Sequence, residues 1–130
     1  MIVLDTHVWF WWVNLEHDRL PSTFLSALNT SERAGVASVS CFEIALAAKR
    51  GRLELPVPPG QWFNEALEKS GIEIFHLSPS IAERAVNLAE ISKDPFDRII
   101  IATALEHDAS LLSLDSAFPR YPELVNRLVR

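Results

Sequence analysis

Asp5 is the only Asp, Glu, Lys or Arg in the first fifteen positions. It directly follows Ile2-Val3-Leu4 and precedes Thr6-His7-Val8-Trp9. A carboxylate that closes a short buried strand, with apolar residues on both sides, is poorly placed for solubility and well placed for chemistry. Three more acids share that setting. Glu43 is the only charge between Ser40 and Ala48, Asp97 opens the run Ile99-Ile100-Ile101-Ala102, and Asp115 ends the run Leu111-Leu112-Ser113-Leu114. Four carboxylates at one place repel: two unit charges ~4 Å apart cost about 4 kcal/mol at an effective dielectric near 20. Stability alone would not assemble them. A divalent cation would, because Mg²⁺ and Mn²⁺ prefer oxygen ligands and take one or two carboxylates plus waters and phosphate oxygens. Such an ion activates water and offsets charge on a phosphodiester under in-line attack.

Each acid also has a local structural reading. Ser40-Cys41-Phe42-Glu43 matches a capping box, and Asp94-Pro95-Phe96-Asp97 matches a helix start in which first-turn acids suit the helix dipole. Asp5 and Asp115 fit as caps of the elements after their strands. Against these readings, Asp97 shares a helix face with Ile101, Ala104 and Leu105, and Glu43 shares one with Leu46 and Ala47. Both acids therefore look toward the core.

The elements that must position these acids follow from proline, glycine and periodicity. Pro21-Ser22 opens a helix to about Asn29, and Gly35-Val36-Ala37 is a short strand. Ser40 caps a helix from Cys41 to Arg50 that Gly51 ends. Pro56 to Gly60 is a loop, followed by a helix from Trp62 to Lys69 and a strand Ile72-Glu73-Ile74-Phe75. Ser78-Pro79-Ser80 starts an amphipathic helix, and Asp94-Pro95 starts another that runs to about His107. Leu111 to Leu114 is a strand. The spacing of Leu124, Val125, Leu128 and Val129 favours a short C-terminal helix. Strands alternating with helices, and strands lacking polar alternation, predict an α/β fold: a three-layer sandwich with a central parallel sheet. Working sites in such folds lie at the carboxyl ends of the strands, where Asp5 and Asp115 fall.

The 130 residues are read as one domain, with 48% apolar content and a mean hydropathy of +0.11. No apolar run reaches membrane-spanning length, and the run Val8 to Val13 has neither a basic leader nor a cleavage site. A single cysteine, Cys41, excludes an internal disulfide and fits a reducing cytoplasm. The net charge of −5 argues against nucleic-acid binding by bulk attraction but leaves room for binding through bound cations.

Taken in order, Leu4-Asp5-Thr6-His7-Val8 with Trp11 or Trp12, Ser38-Val39-Ser40 with Glu43-Ile44, Asp94-Pro95-Phe96-Asp97-Arg98, and Leu112-Ser113-Leu114-Asp115 with Phe118 resemble the PIN-domain ribonucleases. More narrowly they resemble VapC-type toxins of bacterial toxin–antitoxin pairs. The resemblance covers nearly the whole chain. It implies a PIN fold, a Mg²⁺- or Mn²⁺-dependent endoribonuclease, an RNA substrate, a cognate antitoxin and a homodimer. It implies Asp5, Glu43, Asp97 and Asp115 as the catalytic quartet, with Asp5, Asp97 and Asp115 toward the metal. Thr6, Asp94 and Ser113 support them from behind, Asp94 as a cap. Ser113 stands where many relatives have threonine, and the C-terminal stretch lacks the family's clear apolar strand.

Lys49, Arg50 and Arg52 offer contacts to RNA phosphates. Trp9, Phe10, Trp11 and Trp12 belong mainly to the core, yet four consecutive aromatics cannot all point inward, so an exposed remainder would serve a partner. Arg98 is expected to pair with a carboxylate. The histidines have no metal-ligand spacing. A receiver domain wants paired acids after its first strand, and a haloacid-dehalogenase-type phosphatase wants an acid at position 7; Thr6 and His7 argue against both. A non-catalytic PIN scaffold that binds protein or RNA is the remaining alternative, and the presence of all four acids favours the enzyme.

Overall fold

Five short strands form one all-parallel sheet in the order β3-β2-β1-β4-β5: β1 (Ile2–Leu4), β2 (Ala34–Ala37), β3 (Ile72–Phe75), β4 (Ser110–Leu112) and β5 (Leu128–Val129). The structure is a computed structural model that describes residues 1–130. Six α-helices accompany the sheet: α1 (Thr6–Val13), α2 (Ser22–Thr30), α3 (Ser38–Lys49), α4 (Pro59–Asn64), α5 (Pro79–Val86) and α6 (Pro95–Glu106).

Alternate residues of the strands feed two separate cores, one on each face, as the two-residue strand period requires. Ile2, Leu4, Val36 and Leu112 join Trp9, Phe10, Phe24, Ile44 and Trp62 on one side. Val3, Ala37 and Leu111 join Ile100, Ile101, Ala104, Phe118 and Tyr121 on the other. Both faces are therefore covered, which explains the unbroken apolar strands and gives the three layers expected. Gly35 is needed in β2, because a Cβ there would run into the Phe75 ring of β3. From β1 the chain winds outward through β2 to β3, then returns to β4 on the other side of β1. The β1/β4 boundary is thus the point where winding reverses, and a crevice opens there at the carboxyl ends.

Three elements depart from expectation. Helix α3 begins at Ser38, so Ser40 is a buried residue within the helix and not its cap. Strand β2 runs straight into the helix, with Ala37 as the flanking residue and no side-chain cap. The first turn holds no acid, and the capping-box reading of Glu43 fails. The C-terminal stretch is a 3-10 turn (Pro122–Leu124) followed by β5, not a helix, since Leu128 and Val129 find partners in Leu111 and Leu112. The third helix-forming stretch starts earlier than Trp62, at Pro59, and continues past Asn64 as a π turn, Glu65–Lys69.

Candidate active site

Asp5 lies at the carboxyl end of β1, where it flanks α1 as N-cap, and its amide donates to Leu112 O of β4 at 3.0 Å. Its carboxylate accepts from Thr6 N at 2.8 Å on Oδ1 and from Ser113 Oγ at 2.6 Å on Oδ2. Glu43 projects from the second turn of α3 toward the same edge, and its Oε1 meets the Thr6 hydroxyl at 2.7 Å. That hydroxyl also lies 2.9 Å from Ser40 Oγ. Thr6 has one hydrogen to give and an ionised carboxylate has none, so Thr6 donates to Glu43 and Ser40 donates to Thr6. This explains a serine fully buried in an apolar helix.

Asp97 sits in the first turn of α6, where its Oδ2 accepts from Ser92 Oγ at 3.2 Å. Asp94 caps that helix by accepting from Phe96 N at 2.9 Å, as the Asp-Pro start predicts. Asp115 follows β4 by three residues. Its amide donates to Ser113 Oγ at 3.1 Å, and its Oδ1 accepts from Ala117 N at 2.8 Å. The local capping reading of Asp5 thus holds, whereas Asp115 accepts the Ala117 amide without capping the 3-10 turn Phe118–Arg120, whose N-cap is Ala117.

Electrostatics tie the acids together. Burial pushes the Asp97 carboxyl up to about 7 from 3.8, helped by the charges of Asp94, Asp115 and Asp5 and opposed by the Ser92 hydrogen bond. Burial also raises Asp5, against its bonds from Ser113 and Thr6, with the charge of Asp115 adding to the rise. Glu43 is raised by burial and by Asp5 and Asp94, and held down by Thr6. None of the four acids takes part in any of the five ion pairs of the chain. The acids therefore act on one another through their charges, and the one cationic influence of the chain on Asp5 is that of His7, which holds its carboxyl down.

This donor set suits a hard divalent ion, being all oxygen, desolvated and uncompensated. No three acidic, histidine or cysteine side chains form a ready-made ligand cluster. An ion held by these acids would have to be bound partly through water.

Two depressions flank the acids. A cleft of about 480 Å³ is lined by Thr6, Glu43, Arg50, Arg52, Asp94 and Phe96, among others. A second, of about 330 Å³, is formed by Asp5, His7, Val8, Trp11, Leu114 and Asp115. His7 borders both. Arg50 and Arg52 therefore stand on the acidic cleft, whereas Lys49 opens onto a separate depression with Gly51, Leu55 and Pro59.

Other expectations are corrected. Arg98 does pair with a carboxylate, Glu90, but at 4.0 Å and with the acid largely exposed, so the pair is its weaker attachment. Its guanidinium donates to the carbonyls of Ala85, Val86, Leu88, Ala89 and Ser92, closing the end of α5. Sequence reading missed this, because carbonyl partners leave no charge signal. The aromatic run is not an open patch. Trp9 and Phe10 are buried, Trp12 stacks on His17, and Trp11 lies between His7 and the Arg19 guanidinium.

The sequence pattern of the PIN domain matches residues 2–124. The chain belongs to the PIN-domain family. A curated relative, Ribonuclease VapC22 of Mycobacterium tuberculosis (strain ATCC 25618 / H37Rv), is 35% identical over 115 residues, covering 88% of this chain and 86% of the relative. This PIN domain is therefore of the VapC type. Among solved structures, a toxin-antitoxin complex from Klebsiella pneumoniae has a chain that superposes with a TM-score of 0.65 at 22% identity, over 100% of this chain and 97% of that one. VapBC2 from Rickettsia felis, bound to a DNA fragment from its promoter, gives a TM-score of 0.68 at 18% identity, over 99% and 98% of the two chains. At those identities the structural likeness speaks for the fold. No helix of this PIN domain is long and apolar enough to cross a membrane.

Proposed function

We propose that this PIN domain is a Mg²⁺- or Mn²⁺-dependent endoribonuclease, the toxin of a toxin–antitoxin pair. The observation that supports the reading is the mutual charge coupling of Asp5, Glu43, Asp97 and Asp115, three of them with raised carboxyl pKa values and none in a salt bridge. The name of the curated relative supports the activity, and the toxin–antitoxin complexes among the structural neighbours support the partner.

Asp5, Asp97 and Asp115 would hold the ion. When bound, it would activate water and offset charge on the phosphodiester. The chain's own residues supply orientation. Ser113 fixes one oxygen of Asp5 and the Thr6 amide fixes the other. Ser40 and Thr6 anchor Glu43 through Oε1 beside the cleft, which leaves Oε2 to accept a proton or a water hydrogen. Arg50 and Arg52 line that cleft and would meet the phosphates of the RNA. The antitoxin would inhibit by placing a basic side chain such as arginine among the acids. A homodimer would cover exposed apolar residues such as Phe42, Leu77 and Val86.

The test is incubation of purified protein with RNA in Mg²⁺, Mn²⁺ or EDTA, with Asp5→Asn in parallel. Cleavage should require metal and vanish in the variant. Full activity in EDTA, or in Asp5→Asn, refutes the reading.

A further inference from the structure

We propose that Arg130 is a positioning residue: its guanidinium holds the loop that carries Asp115 and, through Ser113, orients Asp5. The inference rests on the nuclease reading above. Strand β5 has only two residues, and its register sets Val129 beside Leu112. Arg130 therefore emerges at the carboxyl edge, next to the chain as it leaves β4. Its Nη1 donates to the Asp115 carbonyl at 2.6 Å and more weakly to the Ser113 carbonyl at 3.4 Å. Its own carbonyl accepts the Thr23 hydroxyl of α2 at 2.7 Å. Main chain and side chain are thus both tied down.

The loop held in this way serves two acids. The Ser113 hydroxyl donates to Asp5 Oδ2 and accepts the Asp115 amide, so one side chain links both carboxylate-bearing segments. The Asp115 carbonyl that Arg130 grips also accepts from Phe118 N at 3.2 Å, which closes the turn after the acid. Arg130 takes part in none of the chain's ion pairs. Its donors go to main-chain oxygens, so it fixes geometry without neutralising an acid. Arg127, three residues earlier, pairs instead with Asp108 beyond the opposite end of β4. Both carbonyls are reached by the single nitrogen Nη1, so a lysine ammonium could replace part of the contact, though its flexible stem holds it less firmly. Partners that orient metal-binding carboxylates typically matter about 10–100-fold in metal affinity or activity.

Wild type, Arg130→Ala and Arg130→Lys decide the question through three readouts: kcat and KM for RNA cleavage in Mn²⁺, Mn²⁺ binding without RNA by paramagnetic resonance of the free ion, and melting temperature in EDTA. Arg130→Ala should lower kcat roughly 10–100-fold and weaken Mn²⁺ binding about 10-fold, with KM little changed. Melting in EDTA should stay well above the assay temperature, and Arg130→Lys should recover part of both losses. Wild-type kcat and Mn²⁺ binding in Arg130→Ala would overturn the proposal. A loss confined to KM would overturn it too, making Arg130 a substrate contact. Equal losses in both variants that track unfolding at the assay temperature would reduce Arg130 to a structural residue. A wild type that cleaves no RNA would instead refute the nuclease reading, and Mn²⁺ binding would still judge Arg130.

Discussion

Replacing Asp97 by asparagine should stabilise the metal-free protein, and only above acidic pH. The Asp97 carboxyl has a pKa raised from 3.8 to about 7. In the window between these values the folded chain holds a proton that the unfolded chain has released. Stability therefore falls as pH rises through the window, and the full cost is present above about pH 7. At 1.36 kcal/mol per pH unit the rise corresponds to about 4 kcal/mol. The side chain is only about half buried, so water screens it, and about 1–2 kcal/mol is the expected cost. Asparagine keeps an oxygen to accept from Ser92 and loses the charge. It also gives up the first-turn interaction with the helix dipole, about 0.3–1 kcal/mol in the other direction. The net expectation at pH 8 in EDTA is a gain of about 1 kcal/mol, roughly 2–6 °C in melting temperature. At pH 4 the aspartic acid is itself mostly neutral, and the gain should vanish. Saturating Mn²⁺ should stabilise wild type more than the variant and so reverse their order. Calorimetric melts of both proteins at pH 4, 6 and 8, with EDTA and with Mn²⁺, supply the comparison. A variant less stable than wild type at pH 8 in EDTA, by the same amount at every pH, would make Asp97 a helix-terminus acid and refute the electrostatic reasoning.

Thr6→Val removes the hydroxyl that links Ser40 to Glu43. It should cost about 1–3 kcal/mol by urea unfolding and lower RNA cleavage, because two polar groups lose a partner; unchanged activity would show that Glu43 does not need this anchor. Arg98→Ala strips the cation from five carbonyls around the end of α5 and should cost roughly 3 kcal/mol or more in the same assay. A loss under about 1 kcal/mol would mean that water replaces the guanidinium freely. Gly35→Ala should destabilise by about 1–3 kcal/mol, since the new methyl displaces the Phe75 ring; a neutral effect would show that β2 and β3 can separate at no cost.

Most of the fold was legible in the sequence because proline, glycine and apolar runs punctuate it locally. Asp94-Pro95 marks a true helix start, Ser78 a true cap that accepts from Ile81 N, and Gly51 ends α3 with a positive φ of 71°. The acids stood out because charges inside apolar runs are costly, and the structure gathers them at the edge where β1 and β4 end. Failures arose where tertiary partners decide. Two residues give β5 no periodicity of their own, and their strand character comes from pairing with β4. The motif from Ser40 to Glu43 matches a capping box letter by letter, but the helix begins three residues earlier than Cys41, at Ser38. Both side chains are then free to meet Thr6, far away in sequence. Arg98 and Arg130 bind carbonyls, and every residue carries a carbonyl, so no pattern of residue types points to such a partner.

Everything proposed for this site depends on whether Asp5, Asp97 and Asp115 hold a divalent ion. An anomalous difference map from crystals soaked in Mn²⁺ tests it most directly. A peak is expected at the carboxyl edge between β1 and β4, bound to these carboxylates directly or through water, and absent in Asp5→Asn crystals. An empty site at saturating Mn²⁺, or a peak held by other residues, would contradict it.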